Sequence, residues 1–230
     1  MRLESLKVLA IGAHPDDVEL GCGATLALLK NRKHEVSILV LSKGEASGDP
    51  RTREQECSLS ASILGVDQLY FGDLKDTEIH DGIDSIRAIE RIVDQTSSEL
   101  VFGHSPKDRH QDHRNAGLAT MSAARNVKSV LLYESPTALR DFCPQVFVDV
   151  TSTFDIKLKA LDAFGPRTSK IYLYSSRDQS ANDQAEKLPV ISNAIEGLAR
   201  YRGFQAGIAL SEAFEVGKLL MEINEESTSM

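Results

Sequence analysis

Short apolar runs alternate with amphipathic segments through the first 130 residues, and this alternation restricts the fold more than any other feature of the chain. Residues 6–12, 36–41, 69–71, 100–102 and 130–133 read as buried strands. Between them, residues 20–29, 53–64, 83–93 and 116–124 carry apolar side chains at helical spacing. That succession is the rhythm of βαβ units, whose right-handed crossovers build a mostly parallel sheet with helices on its faces. Farther on, residues 146–150 alternate as an exposed or edge strand does, and residues 154–164 and 190–201 read as helices. The expectation is an α/β protein, a Rossmann-like three-layer fold with a mostly parallel sheet flanked by helices.

Nothing resembling a linker divides the 230 residues, and 41% of them are hydrophobic, enough for one sizeable core. A single domain is therefore expected over residues 1–223, followed by a polar, disordered tail over 224–230. Two irregular stretches, 42–50 and 175–184, are long enough to border a site. With 34 acidic against 26 basic residues the net charge is −8, which argues against nucleic acid as a partner. A local basic pocket for a small anionic ligand is not excluded. The three cysteines, Cys22, Cys57 and Cys143, are far apart and form no C-x-x-C pair. They read as free thiols in a reducing compartment. Residues 1–5 show no signal-peptide pattern, and no apolar run approaches the ~20 residues a membrane span requires. A cytoplasmic protein is expected.

The segment Ala13-His14-Pro15-Asp16-Asp17-Val18-Glu19-Leu20-Gly21-Cys22-Gly23 follows the first strand directly. Ligands in open α/β sheets bind beyond the carboxyl ends of the strands. Helix capping is one account of these residues, since Asp16 and Glu19 fit a D-x-x-E capping box. Reading Gly21 and Gly23 as a phosphate loop is weaker, because no third glycine completes the fingerprint. A metal site with imidazole and carboxylate ligands is the third account. A second cluster favours it. Residues 104–117 follow the fourth strand and hold His104, His110 and His113, three of the six histidines, with Asp108 and Asp112 between them. Capping alone explains two such clusters poorly, whereas a catalytic zinc takes three protein ligands that two clusters together would supply.

These motifs resemble those of the PIG-L/LmbE family of zinc-dependent N-acetylglucosaminyl deacetylases. The resemblance extends to Arg53-Glu54-Gln55-Glu56, to Leu64-Gly65-Val66, to Gly72-Asp73 after a strand, and to Arg202-Gly203-Phe204-Gln205-Ala206-Gly207 and Ser211-Glu212-Ala213-Phe214 near the C-terminus. One departure is Gln111, where the family commonly has proline. The resemblance implies His14, Asp17 and His113 as zinc ligands, Asp16 as general base, and His110 and Asp112 acting together on the far side of the reacting carbonyl. It gives no role for His104, which reads as a hydrogen-bonded structural histidine. It also implies a homo-oligomer.

The implied reaction removes the N-acetyl group from an N-acetylglucosamine-type sugar or glycoside, with Zn2+ as cofactor, releasing acetate and a free amine. Protonated His110 would stabilise the oxyanion, with Asp112 orienting it and raising its pKa. Arg53 and Arg109 are candidates for gripping an anionic aglycone, because guanidinium forks onto carboxylate or phosphate. A solvated helix face is the bland account of Arg53. Asp73 is a candidate acceptor for sugar hydroxyls, and Glu45 a weaker one. A catalytically silent metal-dependent sugar-binding or regulatory protein is the alternative, although it would need only the ligands. A nicotinamide oxidoreductase is a poorer third for want of the glycine fingerprint.

Overall fold

A computed structural model describes residues 5–165 and 187–220, the side chains of 187–191 excepted. The irregular stretch 175–184 and the tail 224–230 lie outside the described residues. Along the chain run β1 (Lys7–Gly12), α1 (Asp17–Asn31), β2 (Glu35–Ser42), α2 (Pro50–Leu64), β3 (Gln68–Leu74), α3 (Ile83–Thr96), β4 (Leu100–His104), α4 (Gln111–Ala123) and β5 (Ser129–Tyr133). Then follow β6 (Val146–Asp149), α5 (Phe154–Asp162), α6 (Lys187–Ala206) and β7 (Ser211–Leu219).

Local chemistry sets several of these boundaries. α2 starts where Asp49 accepts the Thr52 N–H at 2.9 Å and Pro50 occupies the first turn. It stops at Gly65, whose φ of 76° is the left-handed conformation glycine adopts without a Cβ penalty.

The strands form one sheet in the order β3-β2-β1-β4-β5-β7-β6. β1 to β5 are parallel, and β7 runs antiparallel between β5 and β6. β6 is an edge strand, as its alternation predicts. Both faces of β1 and β2 are buried, which is why they read as continuous apolar runs. Val8, Ala10, Val36 and Ile38 pack with Val18, Cys22 and Leu26 of α1, Cys57 and Leu64 of α2 and Ala160 of α5. Leu9, Ile11, Leu39 and Leu41 point the other way, towards Ile89 and Ile92 of α3 and Ala116 and Ala119 of α4. The result is three layers. Strand order reverses between β1 and β4, so the connections leaving their adjacent carboxyl ends diverge and open a crevice. Both His/Asp motifs enter that crevice.

The helix that carries the first motif is anchored from the C-terminal strand. Glu212 accepts the N–H groups of Ala24 at 3.1 Å and Thr25 at 2.7 Å, midway along α1. Lys157 of α5 donates to Glu212 and to the Leu20 carbonyl, both at 2.7 Å, and both charged side chains are buried. Removing one partner of such a pair strands the other charge in the core. Lys157→Met is expected to lower unfolding free energy by about 3 kcal/mol in urea titrations, and Glu212→Gln in the same chain should recover part of the loss. A loss in Lys157→Met no larger than that of an exposed substitution would show that the pair does not anchor α1.

Candidate metal centre

The turn from β1 into α1 brings His14, Asp16 and Asp17 to the crevice. Asp17 reaches back to accept the His14 N–H at 2.8 Å, which closes the turn. Asp16 occupies the N-cap position with φ of 90°, a conformation rare for a residue with a Cβ, and its side chain makes no capping bond. Glu19 is buried and accepts instead from Ser60 at 2.7 Å. The capping-box account of Asp16 and Glu19 is therefore replaced. Asp16 Oδ2 is buried without a hydrogen-bond partner, and Arg53 Nη2 lies 3.9 Å away. Burial first, and then the charge of Asp17, push the Asp16 carboxyl up to about 8, against the opposing pull of Arg53.

The other half arrives from β4. His113, in the first turn of α4, points Nε2 at Asp17 Oδ1, 3.3 Å away, while its Nδ1 meets Asp108 Oδ2 at 3.1 Å. His14 is arranged in the same manner. Its Nδ1 lies 3.4 Å from Asp17 Oδ2, and its Nε2 meets Asp112 Oδ2 at 2.9 Å and Asp76 Oδ1 at 3.1 Å. Each imidazole thus has one nitrogen tied to an outer carboxylate and the other turned towards Asp17. One donor atom from each of His14, Asp17 and His113 lies within 4.8 Å of the other two. Two imidazoles and one carboxylate, oriented by outer carboxylates, are a donor set that fits a borderline divalent cation. His104, Asp108 and His113 form a second cluster of similar span, but all three are buried. A cavity of about 210 Å³ opens over the first cluster, and Asp16, Arg53 and His110 share its wall.

His110 caps α4, its Nδ1 accepting the Asp112 N–H at 3.2 Å. Its ring stacks on His113 at 4.6 Å and meets His14 edge-on at 4.9 Å. The expected side-chain pair between His110 and Asp112 is not formed. Asp112 is fully buried, and its carboxylate serves His14 and the N–H groups of Thr77 at 2.8 Å and Ile79 at 3.3 Å. Only the Asp112 backbone meets His110. Accordingly the His110 pKa is lowered rather than raised, by burial first and then by the positive charges of His113 and His14.

The substrate candidates fall differently again. Arg53 lines the cavity but is 2% exposed, with Nη2 donating to the Pro15 carbonyl at 2.9 Å and Nη1 to Glu56 at 3.3 Å. It is neither a solvated helix residue nor a free fork. Arg109 is exposed, with Nε donating to the Thr137 carbonyl at 3.3 Å, and lies off the cavity wall. Asp73, 73% exposed, pairs with Lys43 and is also off the wall. The reason is a boundary. β3 runs to Leu74 rather than Phe71, so the carboxyl-edge aspartate is Asp76, three residues later. Asp76, Thr77 and Thr137 line the cavity without having been singled out in the sequence, and Ser47 lines it from the stretch 42–50 expected to border a site. Glu45 sits behind them, accepting the Asp76 N–H at 2.8 Å. His104 is buried, as expected of a structural histidine, with Nε2 3.1 Å from Asp17 Oδ2.

Fold and crevice define a doubly wound α/β protein with a candidate metal centre at its switch point. Comparison with known proteins narrows the class. The family model described as PIG-L: GlcNAc-PI de-N-acetylase matches residues 9–124. The chain is 39% identical over 162 residues to the Escherichia coli K12 protein named uncharacterized deacetylase YaiS, covering 67% of this chain and 88% of that one. It is 28% identical over 180 residues to the diacetylchitobiose deacetylase of Thermococcus kodakarensis, covering 67% of each. Among solved structures, the conserved protein TT1542 from Thermus thermophilus superposes with a TM-score of 0.77 at 23% identity, covering 98% of this chain and 99% of that one. The chain belongs to the PIG-L/LmbE family of deacetylases. Among the described residues no helix is long and apolar enough to cross a membrane.

The carboxylates around His14 and His113 favour the protonated imidazoles. Burial disfavours the His113 cation, but the charge of Asp17 and the bond to Asp108 outweigh it and lift the pKa to about 9. His14 is raised for a like reason, with Asp112, Asp17 and Asp76 opposing burial. A metal needs the inward-facing nitrogen of each imidazole free of its proton, so binding must expel that proton from each ring. Below pH 9 the apparent zinc affinity should fall as pH falls, by roughly tenfold per unit for each proton displaced. Calorimetry at about pH 7 and about pH 8, in buffers of different ionisation heat, measures both quantities. Equal affinity at the two values, with no proton release, would exclude these imidazoles as ligands.

Proposed function

We propose that the chain is a zinc-dependent N-deacetylase, removing the acetyl group from an N-acetylglucosamine-type sugar or glycoside. The observation that carries this reading is the convergence on one cavity of two imidazoles, one carboxylate and a second buried carboxylate whose Oδ2 accepts no hydrogen bond. Membership of the deacetylase family and similarity to a protein named diacetylchitobiose deacetylase support this substrate class.

His14, Asp17 and His113 would hold the ion. When bound, zinc supplies Lewis acidity, placing positive charge against an acyl oxygen and lowering the pKa of water. Asp16, with Oδ2 free of any hydrogen bond, takes the proton of the attacking water and returns it to the departing nitrogen. Water thereby adds to the acetyl carbon, the C–N bond breaks, and acetate and amine leave. Arg53, against Pro15 and Asp16, holds the strained turn that aims this base. Because Nδ1 of His110 accepts a backbone N–H, the proton of the neutral ring sits on Nε2. His110 therefore donates to the developing oxyanion as a neutral imidazole, without an imidazolium. Asp76 and Thr77, on the opposite loop, offer polar atoms to sugar hydroxyls.

The test is acetate release from N-acetylglucosamine, its disaccharide and related glycosides, by protein stripped with chelator and by protein resupplied with zinc. Zinc-restored acetate release from at least one of them is expected. Tight sugar binding without acetate would favour the silent binder instead. Asp16→Asn keeps the side-chain shape and removes the base, so kcat should fall by at least ~100-fold with zinc retained. Near-normal turnover by this variant would remove Asp16 from the chemistry.

A further inference from the structure

The connection after β5 reaches back across the sheet edge to the segment between β4 and α4. A short antiparallel ladder fastens the two, with Leu139 N–H donating to the Lys107 carbonyl at 2.9 Å and Arg109 N–H to the Thr137 carbonyl at 3.1 Å. The side chains that this ladder delivers converge on one group, the carboxylate of Asp108. Ser135 Oγ donates to its Oδ2 and Thr137 Oγ1 to its Oδ1, the latter at 2.6 Å. The His110 N–H adds a bond to Oδ1 at 2.8 Å. Asp108 is 1% exposed, so these donors leave it one orientation, in which Oδ2 accepts from His113 Nδ1 at 3.1 Å.

From this arrangement we propose that Asp108, locked by the Ser135 and Thr137 hydroxyls, is a positioning residue that makes His113 a metal donor. The inference rests on the reading of His14, Asp17 and His113 as the metal centre. An imidazole has one proton to place when neutral. A buried carboxylate at Nδ1 keeps it there, leaving the Nε2 lone pair directed at Asp17 and the cavity. A simple turn-forming role for Asp108 accounts for Oδ1, which takes the backbone N–H two residues on. It does not account for Oδ2, where Ser135 and His113 meet. Thr137 also lines the cavity, so one residue borders both the cavity and the support of a ligand.

The experiment measures zinc affinity of the full chain, stripped by chelator and titrated against a chromophoric competitor. Melting of each metal-free variant is recorded beside it. Asp108→Asn should weaken zinc binding by about 10- to 100-fold. Thr137→Val should weaken it by a smaller factor, and Thr137→Ser, which restores the hydroxyl, should return it to normal. Asp108→Asn or Thr137→Val binding zinc normally, with a lower melting temperature alone, would make the network merely structural and overturn the proposal. Should Asp108→Asn not fold, the Thr137→Val and Thr137→Ser pair decides by the same criterion. His113→Ala keeps the two readings apart. Undiminished zinc binding by that variant would sink the metal centre itself, whereas its loss beside normal binding in Asp108→Asn would sink only the role of Asp108.

Discussion

Asp17 is the group on which the crevice depends. Its carboxylate lies against His14, His104 and His113, and it closes the β1–α1 turn through the His14 N–H. Burial alone would raise its pKa, but the neighbouring imidazoles win and hold it well below the usual carboxylate range. A charge kept ionised in so buried a place needs compensation, from imidazolium protons or from a cation. That requirement sets the surrounding architecture. The outer carboxylates Asp108, Asp112 and Asp76 each hold the far nitrogen of a histidine that faces Asp17.

The crevice itself is a consequence of topology. With β1 and β4 adjacent and their crossovers leading away in opposite directions along the sheet, a gap is left at their carboxyl ends. The two motifs lie far apart in sequence, yet they meet because each directly follows one of these strands. Strain is concentrated at the same place. Asp16 holds a left-handed backbone and a buried oxygen without a hydrogen bond, and Thr77, across the cavity, is a β-branched residue with φ of 69°. Such features persist only where the surroundings over-determine them, here through Arg53 on Pro15 and Asp112 on the Thr77 N–H.

Much of this was legible in the residues, and the misses have identifiable causes. The βαβ rhythm and the edge character of β6 follow from side-chain periodicity, which reports burial directly. β7 escaped because Glu212, Glu215 and Lys218 interrupt its apolar residues, and the fold buries Glu212 against Lys157 and α1. Asp76 was overlooked in favour of Asp73 because β3 continues three residues past its last aromatic, and strand ends are weakly encoded. The His110–Asp112 pairing failed for a directional reason. His110 caps α4 from an extended backbone and turns its ring to the Asp112 N–H, while the Asp112 side chain, in the first turn, reaches His14 and the 77–79 loop. Proximity in a motif established which residues assemble, and only the helix register established which of them touch.

The central claim is that the three inward-facing donors of His14, Asp17 and His113 form one cation site. Anomalous scattering at the zinc edge, from crystals grown with zinc, tests it most directly. One peak per chain is predicted, ligated by His14, Asp17 and His113. An ion seated instead among His104, Asp108 and His113, or no peak in the crevice at full zinc supply, would contradict the account.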